Sequence, residues 1–318
     1  MLQYLIIQLD DTSTSYCHYS NDKKESRLIS VENLKKGILF AMKENLMIQL
    51  VYPNFELSQE YKDAINTIDH SDIVPSDCED EKLKDNADII IFNNWKELES
   101  YKINENGIYV IRTSKSELFE NHLSLNKVLP IAKRINVVIT DIGSFDENDF
   151  EKYEVILSSL SKEIEKLYVE GKTPQLNLLT DRMMLDKMNN CNAGDENITL
   201  APDGKFYVCP AFYYDEDCDC GDLINGLNIR NEQLLRINYA PICRRCDAYH
   251  CKRCVYLNYK ITGDINTPSH EQCVVSHLER NSSQYLLENI RQYGVFMSDK
   301  KISKIDYLDP FEFVSRKY

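Results

Sequence analysis

Short apolar runs and amphipathic stretches alternate along the first part of the chain. The apolar runs are rich in Ile, Leu and Val, which is typical of buried strands. They predict strands at 4–9, 47–52, 88–92, 108–112, 135–140 and 175–179. Helical spacing of apolar residues between several of these runs predicts helices at 31–45, 57–68, 114–124 and 147–170. Strands that alternate with helices predict an α/β fold with a mostly parallel sheet.

Other segments depart from this alternation. Residues 75–87 are acidic and polar and predict a loop, and residues 10–30 have no clear apolar period. The segment ITLAPDGKFYVC (198–209) predicts a β-hairpin, because two alternating strands flank a Pro-Asp-Gly turn. Residues 275–293 predict a helix near the end of the chain.

The character of the sequence changes at Cys191, where periodicity fades and turn residues multiply. This composition is typical of a small domain held by metal centres rather than by a large apolar core. We therefore predict an α/β domain at 1–185, a cysteine-rich domain at 186–280, and a C-terminal helix and tail at 281–318.

The charge balance restricts the partners of the protein. The chain has 318 residues and a net charge of −14, which disfavours nucleic acids and anionic membranes. No apolar run reaches the length of about 18 residues that a spanning helix needs. The N-terminus MLQYLIIQLDD lacks the basic region of a signal peptide. These features predict a cytoplasmic protein.

Nine of the eleven cysteines lie in one window near the C-terminus. In a cytosolic protein such density indicates metal or cluster binding rather than disulfides. Two CxxC pairs, at 243–246 and 251–254, strengthen this interpretation, because thiolates at i and i+3 can face one ion. The predicted metal ligands are Cys191, Cys209, Cys218, Cys220, Cys243, Cys246, Cys251, Cys254 and Cys273. Spacing alone leaves zinc and iron–sulfur open.

Other side chains near these cysteines have several interpretations. The nearby histidines, His250, His270 and His277, are either zinc ligands or ordinary polar residues. Basic residues crowd the same region, at Arg244, Arg245, Lys252, Arg253 and Lys260. They could stabilise a negatively charged cluster, form a solvated face, or dock an acidic partner.

The segment CNAGDENITLAPDGKFYVCP, followed by CGDLINGLN, CRRCDAYHCKRC and Cys273, resembles the SPASM domain. That domain lies at the C-terminus of many radical SAM enzymes that modify peptides and proteins. The pattern of Cys191, Gly204 and Cys209 fits fully, and two later spacers are one residue shorter than is common. The resemblance covers about 85 residues and implies two auxiliary [4Fe–4S] clusters, with two zinc ions as the alternative.

The resemblance also implies ligand sets. One cluster would use Cys243, Cys246, Cys251 and Cys273. The other would use Cys191, Cys209 and Cys254, and residues 180–190 lack the cysteine that supplies the fourth ligand in full SPASM domains. Either Cys218 or Cys220 substitutes, or one iron is open to a partner or substrate.

The sequence lacks the CxxxCxxC motif that radical SAM enzymes use to cleave S-adenosylmethionine. In the corresponding stretch, YLIIQLDDTSTSYCHYSN, Asp10 and Thr14 stand in place of two cysteines and Cys17 remains. The N-terminal half is consistent with a degenerate, partial radical SAM barrel, and no S-adenosylmethionine is expected. The alternative interpretation of Cys17 is a plain buried thiol.

The whole chain resembles CXXX-repeat peptide maturases, which are encoded beside radical SAM enzymes and small Cys-repeat peptides. This resemblance implies an accessory role in ribosomal peptide (RiPP) maturation, by electron relay or substrate binding, with a radical SAM peptide maturase or the Cys-repeat precursor peptide as partner. A second hypothesis is a non-catalytic peptide- or enzyme-binding protein with structural zinc. A third is an independent enzyme acting at Asp10, Asp11 or Asp141, although no spacing ties these carboxylates together. The sequence leaves open whether the chain is an enzyme.

Overall fold

The computed structural model describes residues 2–17, 19, 25–188, 191–215 and 218–315. These residues form two compact units whose segments alternate along the chain. The first unit comprises Met1–Asn93 and Cys191–Tyr239, and the second comprises Asn94–Asn190 and Ala240–Tyr318. The predicted domains at 1–185, 186–280 and 281–318 are divisions along the sequence, and they stay a prediction.

The N-terminal segment of the first unit alternates strands and helices, as the sequence predicts. Its elements are β1 (Tyr4–Gln8), α1 (Val31–Glu44), β2 (Met47–Val51), α2 (Gln59–Ile65), β3 (His70–Pro75), α3 (Glu81–Asn86) and β4 (Ile89–Phe92). The strands pair in parallel in the order β1-β2-β3-β4. Helix α1 begins at Ser30, whose hydroxyl accepts a hydrogen bond from the Asn33 amide at 3.1 Å.

The N-terminal segment of the second unit continues this alternation. Its elements are α4 (Trp95–Ser100), β5 (Ile108–Thr113), α5 (Lys115–Asn121), α6 (Leu125–Val128), β6 (Arg134–Ile139), α7 (Glu147–Val169), β7 (Gln175–Leu176) and α8 (Thr180–Met184). Strands β5, β6 and β7 are neighbours in that order and run parallel. Strand β7 is shorter than the predicted run at 175–179.

The chain then returns to the first unit, where the predicted hairpin is confirmed. The elements are β8 (Asn197–Leu200), β9 (Lys205–Tyr207), α9 (Pro210–Tyr213), β10 (Asp219–Asp222) and β11 (Gly226–Leu227). Strand β8 pairs in parallel with β1, and β8 to β11 pair with one another in antiparallel fashion. The hairpin turn places Gly204 at a φ of 81°, a conformation that glycine adopts without steric cost.

The last segment adds three helices to the second unit, α10 (Val255–Thr262), α11 (His270–Arg291) and α12 (Pro310–Ser315). Helix α11 begins five residues before the predicted helix at 275–293. The reason is Ser269, whose side chain caps the helix by accepting a hydrogen bond from the Gln272 amide at 3.2 Å. As a consequence, Cys273 lies in the first turn of the helix.

Two further differences from the sequence predictions have local causes. The loop predicted at 75–87 contains helix α3, because Asp80 caps it by accepting a hydrogen bond from the Leu83 amide at 3.2 Å. Strand β3 was not predicted, because only Ile73 and Val74 are strongly apolar in it and its pairing with β2 and β4 decides its conformation. In the stretch 10–30, which has no clear period, residues 18 and 20–24 lie outside the described part.

Buried aromatic and aliphatic residues form the core of each unit. In the first unit, Phe206 of β9 is fully buried and packs on Phe40 of α1, with ring centroids 4.8 Å apart. In the second unit, α7 packs against α11, and the buried Tyr153 donates a hydrogen bond to Glu279 at 2.6 Å. No helix in the described ranges has both the length and the apolar character needed to cross a membrane.

We expect Phe206→Ala to destabilise the protein by about 3–5 kcal/mol, because it leaves a cavity under α1. The matched control is Phe311→Ala, since Phe311 is 40% exposed and its removal should cost well under about 1 kcal/mol. Urea unfolding followed by circular dichroism measures both values. Equal effects of the two changes would contradict this assignment of the core.

Candidate metal centre

The nine predicted ligands divide between the two units. Cys191, Cys209, Cys218 and Cys220 belong to the first unit, and Cys243, Cys246, Cys251, Cys254 and Cys273 belong to the second.

Four thiols of the second unit line one small cavity. Cys243, Cys246, Cys251 and Cys273 form part of its wall together with His277, and its volume is ≈ 20 Å³, enough for about one water molecule. These are the four cysteines that the SPASM resemblance assigns to one cluster. The donor set fits both a Cys₄ zinc site and a [4Fe–4S] cluster.

Tight turns and one helix bring these thiols to the cavity. A 3₁₀ turn at Cys243–Arg245 precedes Cys246, whose amide donates to the carbonyl oxygen of Cys243 at 3.1 Å. The Cys251 amide donates to the carbonyl oxygen of Ala248 at 2.9 Å. Cys273 comes from the first turn of α11. The local turns thus present the closely spaced cysteines, and the helix supplies the distant one.

Backbone amides already point at several of the sulfur atoms. The Ala248 amide donates to Cys246 Sγ at 3.4 Å, and the Arg253 amide donates to Cys251 Sγ at 3.4 Å. The Cys254 thiol caps α10, accepting from the Leu257 amide at 3.5 Å. Such donors stabilise a charged sulfur more than a neutral one. The backbone is therefore arranged to suit thiolates.

Burial and mutual repulsion oppose the ionisation of the same thiols. Burial, with the neighbouring Cys251 and Cys246, raises the pKa of Cys243 to about 12. Burial likewise raises the pKa of Cys246 to about 12 and that of Cys273 well above its usual value. A cation or cluster iron removes this conflict, because it neutralises the thiolates and displaces their protons.

No three Cys, His, Asp or Glu side chains among the described residues are placed as ligands of one metal ion. The four thiols share a cavity wall without converging on one point. Ligation would therefore require their side chains to turn toward a common centre.

Two buried arginines lie at or near the cavity wall. Arg253 lines it and is buried, and its guanidinium donates a hydrogen bond to Asn266. Arg280, which is fully buried, forms an ion pair with Asp247. Burial by itself raises the pKa of Asp247, but Arg280 and then Arg182 lower it on balance. The carboxylate therefore stays charged beside Cys246.

Of the three histidines, one reaches the thiols. His277 Nε2 lies 3.3 Å from Cys246 Sγ, and burial lowers the pKa of His277 to about 4. This histidine is therefore neutral near pH 7 and has the form that binds metals. By contrast, His250 lies 3.0 Å from Glu279, and His270 lies 2.7 Å from Asp309.

The five basic residues near the cysteines differ in their exposure to solvent. Arg253 lies at the cavity, whereas Arg244, Arg245, Lys252 and Lys260 are exposed. The exposed four have the character of a solvated face, so only Arg253 supports the interpretation of cations that stabilise a cluster.

In the first unit, the hairpin brings Cys191 and Cys209 to one end of the sheet. Cys191 precedes β8, and its carbonyl oxygen accepts a hydrogen bond from the Asn197 side chain. Cys209 follows β9, whose Tyr207 pairs with Thr199. Both cysteines therefore lie at the end of the hairpin opposite its turn, which supports the predicted proximity of Cys191 and Cys209.

The loop after β1, where a radical SAM motif would stand, is held by hydrogen bonds. Asp10 accepts from the Thr12 amide at 2.8 Å, the Thr12 hydroxyl at 2.6 Å and the Ser26 hydroxyl at 2.8 Å. Asp10 therefore acts as a turn residue that accepts hydrogen bonds within the loop. Thr14 is half-buried, and Cys17 is the cysteine of this loop.

Two tyrosines after the hairpin fasten this loop. Tyr213 donates to the Asp11 carboxylate and accepts from Arg27 at 2.6 Å. Tyr214 accepts from the Gln8 side chain and donates to the carbonyl oxygen of Ser13 at 3.0 Å. Sequence reasoning missed both residues, although the Tyr-Tyr pair next to Cys209 was visible.

Comparison with known proteins gives the fold. No protein-family model matches the sequence, and no curated protein matches it. The chain is similar to the solved structure of polyhistidine-tagged anSMEcpe with bound AdoMet, with a TM-score of 0.62 and 12% identity over 94% of this chain and 98% of that one. Native anSMEcpe with bound AdoMet and the Cp18Cys peptide matches with a TM-score of 0.62 and 11% identity, over 92% and 100% of the two chains.

The chain has the fold of the anSMEcpe structures. At this low identity the likeness shows the fold alone. It confirms the predicted α/β class with a mostly parallel sheet, helices and a cysteine-rich C-terminal region. Because the neighbours contain AdoMet, they lend no support to the expectation that this chain takes no S-adenosylmethionine.

A second, larger cavity lies in the first unit and was not anticipated from sequence. Its volume is ≈ 690 Å³, and residues of α2, α3 and the start of β3 line it. His70 Nε2 lies 3.3 Å from Asp72 Oδ1 at its wall. The hydrogen bond to Asp72, against the opposing effect of burial, raises the pKa of His70.

We expect Asp72→Asn to lower the pKa of His70 and to cost more stability near pH 5.5 than near pH 8.5. The folded state binds the His70 proton more tightly than the unfolded state does. The His70–Asp72 pair therefore contributes fully to the free energy of unfolding below about pH 6.5. This contribution is lost as the pH rises through the raised pKa of His70. NMR titration of His70 and urea unfolding at both pH values measure the two effects. Asp69→Asn, which removes an exposed neighbouring carboxylate, should leave both unchanged, and a similar change in this control would contradict the assignment.

Proposed function

We propose that this protein is an accessory iron–sulfur protein of the SPASM type, which works beside a separate radical SAM enzyme in the maturation of a ribosomal peptide. One contrast carries the proposal. Four thiols share a cavity in the second unit, whereas the loop after β1 has Asp10 and Thr14 at two of the three positions of a radical-generating motif. A cytoplasmic location and a Cys-repeat precursor peptide as partner belong to the same proposal.

The residues of this chain have distinct roles in that scheme. Cys243, Cys246, Cys251 and Cys273 would hold one cluster, and Arg253 and the amides of Ala248 and Arg253 would stabilise its charged sulfurs. One-electron transfer is the chemistry that such a cluster would supply, whereas binding of a substrate thiolate at an open iron would require the other cluster, which has three assigned cysteines. Peptide binding has support from the neighbour structures, since anSMEcpe was solved with the Cp18Cys and Kp18Cys peptides.

The second candidate is a peptide- or enzyme-binding protein with structural zinc. Two observations favour it: the cavity of ≈ 20 Å³ suits a single ion, and His277 lies 3.3 Å from Cys246. A donor set of cysteines with one histidine is common at structural zinc sites. In this second function the same residues bind metal, but the metal has no redox role.

Metal analysis after strictly anaerobic purification decides between the two. Two clusters correspond to about eight irons and eight sulfides per chain, with an EPR signal after dithionite reduction. About two zinc ions without such a signal would establish the structural alternative. A chain without metal would contradict both.

We expect Cys251→Ala to lose about half of the bound metal, because it removes one of four thiols at the cavity. The matched control is Cys78→Ala. Cys78 is a buried thiol that lies between β3 and α3, away from the other cysteines along the chain, so its removal should leave the metal content unchanged. Iron, sulfide and zinc assays of the two variants measure this, and equal losses would show that the effect is not ligation.

We also expect that the reduced protein, mixed with S-adenosylmethionine, forms no 5′-deoxyadenosine above the blank. One cysteine in the loop after β1 leaves too few thiolates for the cluster that cleaves this cofactor. Liquid chromatography with mass detection measures the product. Turnover by the wild-type chain would overturn the accessory role, even if both clusters were present.

A further inference from the structure

The larger cavity of the first unit has the size of a ligand site. Its volume of ≈ 690 Å³ falls within the range of about 300–1,000 Å³ that is typical of such sites. Its wall comes from α2, α3, the start of β3 and the segment that follows β2. All of these elements belong to the first unit, so the cavity lies within that unit.

Ion pairs connect the elements around this cavity. Lys62 Nζ of α2 lies 2.7 Å from Oδ2 of Asp80, the residue that caps α3, and 2.6 Å from Glu56 Oε1. On β3, His70 Nε2 lies 3.3 Å from Asp72 Oδ1. A ligand would therefore meet a wall whose charged side chains are already placed, which lowers the free-energy cost of ordering them on binding.

Acidic side chains outnumber basic ones in the wall. Five carboxylates and two lysines line the cavity, and His70 adds a third cation when it is protonated. Two negative charges therefore remain in excess even with His70 protonated. Glu79 is exposed and forms no ion pair within the part of the chain that the structure describes. This excess favours a cationic ligand over an anionic one.

Apolar side chains line the same cavity. Leu57 and Ile65 are buried in its wall, and Phe55 and Leu83 are half-buried there. Apolar surface beside carboxylates suits the side chain of arginine or lysine, because the methylene stem packs on apolar atoms while the charged head meets the carboxylates. A guanidinium can also stack on an aromatic ring such as that of Phe55.

We infer that this cavity binds a basic side chain of a peptide, with arginine preferred over lysine. A carboxylate binds a guanidinium through two parallel hydrogen bonds, and Glu79 is available for this contact. Asp72 can accept further hydrogen bonds beside its contact with His70, because a carboxylate has about four acceptor sites. The cavity has room for the residues beside the arginine as well. The inference goes beyond the proposed function and does not depend on it, since no metal or cluster takes part.

NMR titration of the full-length, ¹⁵N-labelled protein with acetyl-arginine amide tests the inference. The matched ligand is acetyl-citrulline amide, which has a similar shape but no charge. We expect the arginine compound to shift the amide signals of α2, α3 and the start of β3, and to bind more weakly as sodium chloride is added. Equal binding of the citrulline compound, or shifts confined to other elements, would overturn the inference.

A peptide probe tests the assignment to a peptide. Acetyl-Leu-Arg-Leu-amide should bind more tightly than acetyl-arginine amide, because its leucines add contacts with the apolar part of the wall. Equal affinities of the two compounds would overturn the assignment to a peptide.

One pair of variants tests the site within the protein. We expect Glu79→Gln to weaken the binding of acetyl-arginine amide about two- to fivefold, which is the usual strength of an exposed ion pair. The control is Asp85→Asn, because Asp85 is an exposed carboxylate of α3 outside the cavity wall and its removal should leave the affinity unchanged. Equal weakening by both variants would overturn the inference, and circular dichroism verifies that both are folded.

The metal assays separate this inference from the proposed function. A chain that holds metal but does not bind acetyl-arginine amide would overturn the inference alone. A chain that binds acetyl-arginine amide but holds no metal would overturn the proposed function alone.

Discussion

Thiols that are buried side by side repel one another as soon as they lose their protons, and the second unit is organised around this constraint. Cys243, Cys246 and Cys273 have strongly raised pKa values in the protein, so ionising them together without a cation is costly. The backbone nevertheless aims amides at the sulfur of Cys246. The combination makes sense if a positive centre completes the site, because such a centre converts the repulsion into ligation.

The surroundings of the cavity hold its wall in place. Helix α11 carries Cys273 into position, and its own position is set by packing against α7, where Tyr153 binds Glu279. The ion pair between Arg280 and Asp247 joins the same helix to the turn that carries Cys246. The segment with the CxxC pairs has little regular secondary structure of its own, and these contacts join it to α11.

In the first unit, hydrogen bonds hold the loop after β1 in place. Tyr213 and Tyr214 donate hydrogen bonds to residues of this loop, and Asp10 accepts a hydrogen bond from the Thr12 amide within it. The chain thus has the fold of anSMEcpe, and polar contacts hold the loop after β1.

Much of this protein could be predicted from local sequence. Alternation of apolar runs and helical stretches determined the α/β class, and the Pro-Asp-Gly turn determined the hairpin, because both depend on neighbouring residues. Cysteine spacing likewise predicted metal binding, which stays a prediction, and left zinc and iron–sulfur as alternatives. Strand β3 depended on pairing with strands on both sides, and helix α11 on the Ser269 cap. Only the tertiary structure decided how the loop after β1 is held, because the hydrogen bond of Tyr214 to Ser13 joins residues 201 positions apart, which sequence spacing does not encode.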